Sequence, residues 1–258
     1  MPKFNDFDLA DGKRKEYEDI MVDSLWIINQ RDKTGKHDNF YHWNFLPQIP
    51  HQLIRRYTKK DDRVIDPFLW SATTAVEAEV LGRNVVWVDI QPDLVDRADT
   101  LFDKSSTEHT FICWDSSVQN TYTSLPQQEF AQLVLLHPPY HDIIKFSDNK
   151  EDLSNINKLD EFLKKFGDVV KHSTKYLKKW WYVWLVIWDM YRKSERIPLG
   201  FYCWEVCKTY WLQLKSIIVK NMEWNRWKIG SWGIRRYRAL SSDYYLFKHE
   251  YIFIFKKK

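Results

Sequence analysis

The sequence predicts an α/β domain built on a doubly wound, mostly parallel sheet. Three observations carry that expectation. From about residue 61, short β-branched runs alternate with segments of helical spacing. Strand, helix and strand follow one another within roughly 30 residues, the length of a βαβ unit. The strands end in acids or prolines, at Asp66, at Asp89 and at His137-Pro138-Pro139, on the edge where such a sheet meets its ligands.

In order, VIDPF reads as a short buried strand, TTAVEAEVLG as a helix with Gly82 in its C-terminal cap, and NVVWVDI as a second strand. LVDRADTLFDK reads as a helix, HTFICWD as a third strand, and AQLVLLHPPY as a fourth, ended by two prolines that cannot continue a ladder. Residues 1 to about 60 read as a helical or irregular segment. There SLWIIN and FYHWNFLPQIPHQLIRRY supply apolar anchors, and Pro47 and Pro50 break the chain ahead of a short helix. After Tyr140, HDIIKFSDNKEDLSN reads as a loop, LDEFLKKFGDVVKHSTKYLKK as a helix and WWYVWLVIWD as a strongly apolar strand. FYCWEVCKTYWLQLKSIIVKN fits a helix running into a strand, and YYLFKHEYIFIFKKK one or two final strands. The 258 residues are read as a single domain in three stretches, 1–60, 61–140 and 141–258.

Composition narrows the class. With 44% hydrophobic and 29% charged residues the chain is neither disordered nor fibrous, and no apolar run approaches the roughly 20 residues of a membrane span. The first residues lack the apolar stretch of a secretory signal, so the expected location is the cytoplasm, with no membrane partner. Cys113, Cys203 and Cys207 supply neither a paired framework nor a zinc set, and read as ordinary thiols. The net charge of +4 is modest but uneven, with nine lysines and arginines against Asp243 and Glu250 between Asn225 and Lys258.

Two constellations carry chemistry. In DPFLWSATTAVEAEVLGRNVVWVDI, Asp66 ends a strand, and a turn with Ser71, Ala72, Thr73 and Thr74 enters a helix, so backbone N–H groups face a ligand. Asp89 ends the next strand at a spacing suited to a ribose-binding acid. A plain strand-to-helix connection capped by Ser71, Thr73 and Thr74 is the simpler alternative. In LVLLHPPYHD, two prolines fix the backbone and leave the preceding carbonyls without local donors. The Pro138 carbonyl and the His137 side chain can accept from an exocyclic amine while Tyr140 stacks on its ring. The simpler reading there is a strand terminator.

In their order, DPFLWSATT, VDI, CWDSS and LLHPPY resemble the S-adenosylmethionine-dependent DNA amino-methyltransferases, which modify adenine at N6 or cytosine at N4, and the resemblance extends over most of the chain. It implies a seven-stranded Rossmann-like methyltransferase sheet with an antiparallel C-terminal strand. It implies S-adenosylmethionine as cofactor, with Phe68, Trp70 and Ala72 in the turn that binds the methionine part, flanked by Asp66, Ser71, Thr73 and Thr74. Asp89 and Ile90 fall at the ribose, Asp115 at the adenine, and His137, Pro138, Pro139 and Tyr140 at the catalytic motif. FYHWNFLPQIP resembles the family's cofactor-closing motif, and target recognition falls after Tyr140, partly in the basic C-terminal part. The implied reaction is direct: the base flips out of duplex DNA, HPPY polarises its amine, and the nitrogen takes the methyl group in line without metal or covalent enzyme intermediate. His137 stands where the family more often has Asp, Asn or Ser. Neutral, it accepts through one ring nitrogen; protonated, it does not, so activity should fall in acid. The implied partners are DNA and a cognate restriction endonuclease. The alternatives are an RNA amino-methyltransferase, or a catalytically dead nucleic-acid-binding module whose Arg235, Arg236 and Arg238 contact phosphates.

One feature of the composition cuts across this reading. Glycine occurs 7 times and tryptophan 14 times, whereas average usage would give roughly 18 glycines at this length. Trp70, Trp87 and Trp114 stand at family glycine positions, and Trp43, Trp180, Trp181, Trp188, Trp211 and Trp227 where glycine would be natural. An indole at position 70 would fill the space of the methionine moiety and oppose a positive φ. Three readings of the tryptophans are open: core filling, the mark of a degenerate pseudoenzyme, or glycines whose codon, UGA, is rendered here as tryptophan. If about twelve were glycine, the total would be about 19, near the average, with Trp26 and Trp232 as the genuine pair.

Overall fold

In the computed structural model, which describes residues 3–10, 12–37, 46–192, 195–222 and 232–258, the apolar runs become the strands of one large sheet. The elements are β1 (Leu25–Trp26), α1 (Gln48–Tyr57), β2 (Arg63–Asp66), α2 (Thr73–Val80), β3 (Asn84–Asp89), α3 (Pro92–Phe102), β4 (His109–Cys113) and β5 (Ala131–Leu136). There follow α4 (Leu159–Thr174), β6 (Leu177–Ile187), β7 (Met190–Arg192), β8 (Glu195–Ile197), α5 (Leu199–Thr209), β9 (Leu212–Asn221), α6 (Trp232–Leu240) and β10 (His249–Lys257). The sheet order is β1-β9-β10-β6-β5-β2-β3-β4. Every neighbouring pair is parallel except the two made by β10, which runs antiparallel to β6 and β9.

All six residues of β5 are buried, as expected of a central parallel strand covered on both faces. Side-chain alternation sorts the sheet into two cores. Ile65, Val134, Leu136, Leu185 and Phe253 pack with Phe162, Phe166, Val169 and Val170 of α4 and Leu199 and Cys203 of α5. Val64, Leu133, Leu135, Val186 and Ile254 pack on the other face with Leu53 and Ile54 of α1, Ala75 and Val76 of α2, and Val95 and Ala98 of α3. Pro92 sits in the first turn of α3, where its missing N–H is not needed.

The antiparallel last strand and the βαβ order are as the sequence predicts. Eight strands form, not seven: the segment SLWIIN contributes Leu25 and Trp26, which pair with Val219 and Lys220 at the sheet edge. Pro50 does not precede the N-terminal helix but lies within the first turn of α1, where proline is tolerated. The hairpin β7–β8 has no sequence signal of its own. It is joined to the core by Asp189, buried, which pairs with Arg196 at 2.6 Å and accepts from the Gly200 N–H at 3.2 Å.

Among the described residues, three tryptophans adopt the left-handed backbone conformation that favours glycine: Trp70 (φ 50°), Trp180 (φ 71°) and Trp211 (φ 62°). Trp211 lies just past α5 and Tyr210, the position where helices commonly close on a left-handed glycine. Trp180 lies in β6 where the register to β5 jumps, from Ala131 opposite Leu177 to Leu133 opposite Tyr182.

Gly200 illustrates a glycine required by close approach. A Cβ there would meet the Tyr251 ring at 3.1 Å and the Phe253 ring at 3.3 Å. Gly200→Leu is therefore expected to cost about 1–3 kcal/mol by overpacking, read as a lower thermal midpoint in calorimetry.

Candidate functional site

The carboxyl ends of β2, β3 and β5 and the segment after β4 converge on one edge of the sheet. Asp66, the last residue of β2, is buried and accepts from the Phe68 N–H at 2.9 Å. Burial raises its pKa to about 7. The chain then turns through Leu69, whose N–H reaches the Val88 carbonyl at 3.0 Å, and through Trp70 and Ala72, both left-handed, into α2. Ser71 and Thr73 lie with their hydroxyl oxygens 3.2 Å apart, and Thr73 and Thr74 are buried in the first turn of α2.

Asp89, the last residue of β3, accepts from the Trp70 N–H through Oδ2 and from the Gln91 N–H through Oδ1, each at 3.0 Å. Burial raises its pKa to about 6. Each oxygen keeps acceptor capacity for a hydroxyl. Ile90 lines the same cavity. Asp115 also lines it, yet both its oxygens are engaged, Oδ1 by the Ser117 N–H and hydroxyl at 2.9 and 2.7 Å and Oδ2 by Lys165 of α4 at 2.9 Å.

His137, Pro138, Pro139 and Tyr140 follow β5. The buried His137 Nε2 shares a 2.8 Å hydrogen bond with the Tyr140 hydroxyl. Burial lowers the His137 pKa to about 4 and pushes the Tyr140 phenol well up. Both side chains are thus neutral across the physiological range, so the acid sensitivity expected of the motif is displaced below that of an ordinary histidine.

Trp70 crosses the gap between turn and motif. Its indole Nε1 donates to the His137 carbonyl at 2.9 Å, and its ring stands edge-on to Phe146 at 4.4 Å. The cavity enclosed by Phe68, Trp70, Asp89, Asp115 and Pro139 has about 50 Å³ of free space. Pockets for ligands of ordinary size run to ~300 Å³ or more.

Of the residues singled out by sequence, Asp66, Phe68, Trp70, Asp89, Ile90 and Asp115 thus gather with His137 to Tyr140 at one edge. Residues 40–45 of the closing motif, Trp43, Trp227 and the side chains of Trp232 and Arg235 lie outside the described residues. Arg236 and Arg238 are exposed on α6.

Sequence reasoning missed three charged residues, Glu77 and the pair Lys220–Glu250. Glu77 of α2, buried behind the turn, bonds both His37 and, at 2.7 Å, His51 of α1. Burial alone would raise its pKa, but the two imidazoles hold it below the usual range. Lys220 of β9 and Glu250 of β10 face each other in register as a buried pair at 2.7 Å, and both charges act on His137. Their only sequence signal is a charge inside otherwise apolar strands.

Part of the chain is similar to known proteins. Residues 5–100 match the family described as DNA methylase, N6_N4_Mtase. The chain is 33% identical over 89 residues to the Type II methyltransferase M.MjaII of Methanocaldococcus jannaschii, a match covering 31% of this chain and 17% of that protein. It is 29% identical over 111 residues to the Type II methyltransferase M2.LlaDCHI of Lactococcus lactis subsp. cremoris, covering 42% of this chain and 35% of that protein. The matches thus span about a third or less of the length of these relatives. The fold is similar to that of a SAM-dependent methyltransferase from Methanosarcina mazei, with a TM-score of 0.52 at 13% identity, over 80% of this chain and 96% of that one.

The buried pair gives a test of the electrostatics. In Lys220→Met, Glu250 loses its cation while still acting on His137, so the His137 imidazole should titrate above about 4. NMR of the labelled ring, without any ligand, checks this.

Proposed function

We propose that this chain, which is similar to the DNA methylase family over residues 5–100 and to two Type II methyltransferases over shorter stretches of their length, transfers a methyl group from S-adenosylmethionine to the exocyclic amine of adenine (N6) or cytosine (N4) in DNA. The observation that carries the reading is that Phe68 and Trp70 of the turn, Asp89 and Pro139 of the motif line one cavity, with Trp70 bonded to both Asp89 and the His137 carbonyl. DNA is the substrate, a cognate restriction endonuclease is the partner such a role implies, and no described helix is long and apolar enough to cross a membrane.

The acceptor side follows from this chain's own residues. A flipped base would lie against Tyr140, its amine meeting the acceptors of the His137–Pro138 segment. With His137 and Tyr140 both neutral, the motif places no cation beside an amine that becomes positive as it reacts. The Glu250 carboxylate adds a negative field to which both side chains are exposed.

The fit to the cofactor is split. Asp89 offers carboxylate oxygens to ribose hydroxyls, and Ile90 supplies an apolar wall. The methionine end does not fit, because the Trp70 indole spans the gap to the His137 carbonyl where that end would lie. As written, the chain therefore suits a nucleoside better than the whole cofactor.

Two outcomes are expected. Adenosine, which lacks the methionine end, should bind the chain as written. Its affinity should rise as pH climbs through about 6, where Asp89 becomes an ionised acceptor, and should fall roughly tenfold or more in Asp89→Asn; calorimetry at several pH values reads this. The Trp70→Gly variant, given S-adenosylmethionine labelled in its methyl group, should label duplex DNA as N6-methyladenine or N4-methylcytosine. Label appearing only in RNA would contradict the assignment to DNA.

A further inference from the structure

The misfit at Trp70 belongs to a wider pattern, resolved by backbone conformation and indole hydrogen bonding. A left-handed φ is a genuine outlier for a bulky side chain, and three of the described tryptophans adopt it. They occupy three unrelated kinds of site: a ligand turn at Trp70, a strand irregularity at Trp180 and a helix end at Trp211. Each kind is one where glycine serves for a backbone reason. Trp180 and Trp211 are 59% and 78% exposed, so core packing does not explain an indole at either.

The buried tryptophans separate as well. Trp26 is 1% exposed, and its indole N–H donates to the Asp23 carbonyl at 3.0 Å, as a buried tryptophan ordinarily does. Trp87, Trp184 and Trp204 have buried indole nitrogens with no hydrogen-bond partner among the described residues. Trp184 and Trp204 were not among the positions the sequence pattern marked, so the orphaned N–H groups extend the set. Trp114, ahead of Asp115, is 58% exposed.

We infer that the protein at work in its own cell carries glycine at positions 70, 180 and 211, and by the same codon at 87, 114, 184 and 204, whereas Trp26 is a true tryptophan. The codon is UGA, and the cell holds a glycine-charged tRNA with the complementary anticodon UCA. This rests on left-handed backbone, orphaned indoles and the glycine deficit, of which only the ligand turn concerns the proposed reaction. Removing the indole at position 70 would clear the path between the turn and the His137 carbonyl.

The test reads the gene first, then the protein. UGA is expected at codons 70, 180 and 211 and UGG at codon 26. The double variant Trp180→Gly/Trp211→Gly, which alters only exposed side chains, is expected to unfold several degrees higher in calorimetry, because relief of two left-handed tryptophans exceeds the added chain entropy of glycine. UGG at codons 70, 180 and 211, or a lower unfolding midpoint for the double variant, would overturn the inference. Neither readout involves cofactor or DNA, so its failure is distinguishable from failure of the methyltransferase reading.

Discussion

The rest of the site depends on the backbone of one turn, residues 67–72. Leaving β2 at Asp66, the chain must reverse quickly enough to enter α2 at Thr73 while aiming N–H groups at the ends of both neighbouring strands. It does so through two left-handed residues, with Leu69 held by the Val88 carbonyl and Trp70 by the Asp89 carboxylate. That bond to Asp89 couples the turn to the end of β3, and the direction in which residue 70 points decides whether the turn and the HPPY motif are separated by space or by a side chain.

Much of this was legible in the sequence because it is local. Alternating β-branched runs, Gly82 at the helix end and acids closing the strands are each set by a few adjacent residues, and β2, α2, β3, β4 and β5 follow them. That the candidate residues gather at one edge was legible for the same reason, since a parallel sheet brings together the ends of its strands whatever the intervening helices contain. What was not legible is non-local. Leu25 and Trp26 form a strand only because β9 ends beside them. Asp115 is engaged by Lys165, a residue 50 positions later in α4, and nothing in CWDSS announces it. Lys220 and Glu250 become one buried pair only through the antiparallel register of β9 and β10.

Burial, more than partner charge, sets the titration behaviour of the site. It pushes Asp66 and Asp89 up and His137 down, in each case toward the neutral form. At neutral pH His137 is therefore uncharged, while Asp89, with its pKa raised only to about 6, is largely ionised. The buried pair Lys220–Glu250 departs from that rule, and its desolvation is costly unless the charges are well matched. Its place beside the HPPY motif, where both charges act on His137, makes it part of that site's electrostatics as well as of the sheet.

The indole of Trp70 stands across the gap where the methionine end of S-adenosylmethionine would lie. Calorimetric titration of S-adenosylmethionine into the chain as written and into Trp70→Gly tests it most directly. The account predicts no measurable binding to the first and saturable binding to the second. Equal binding by both chains, or none by either, would contradict it.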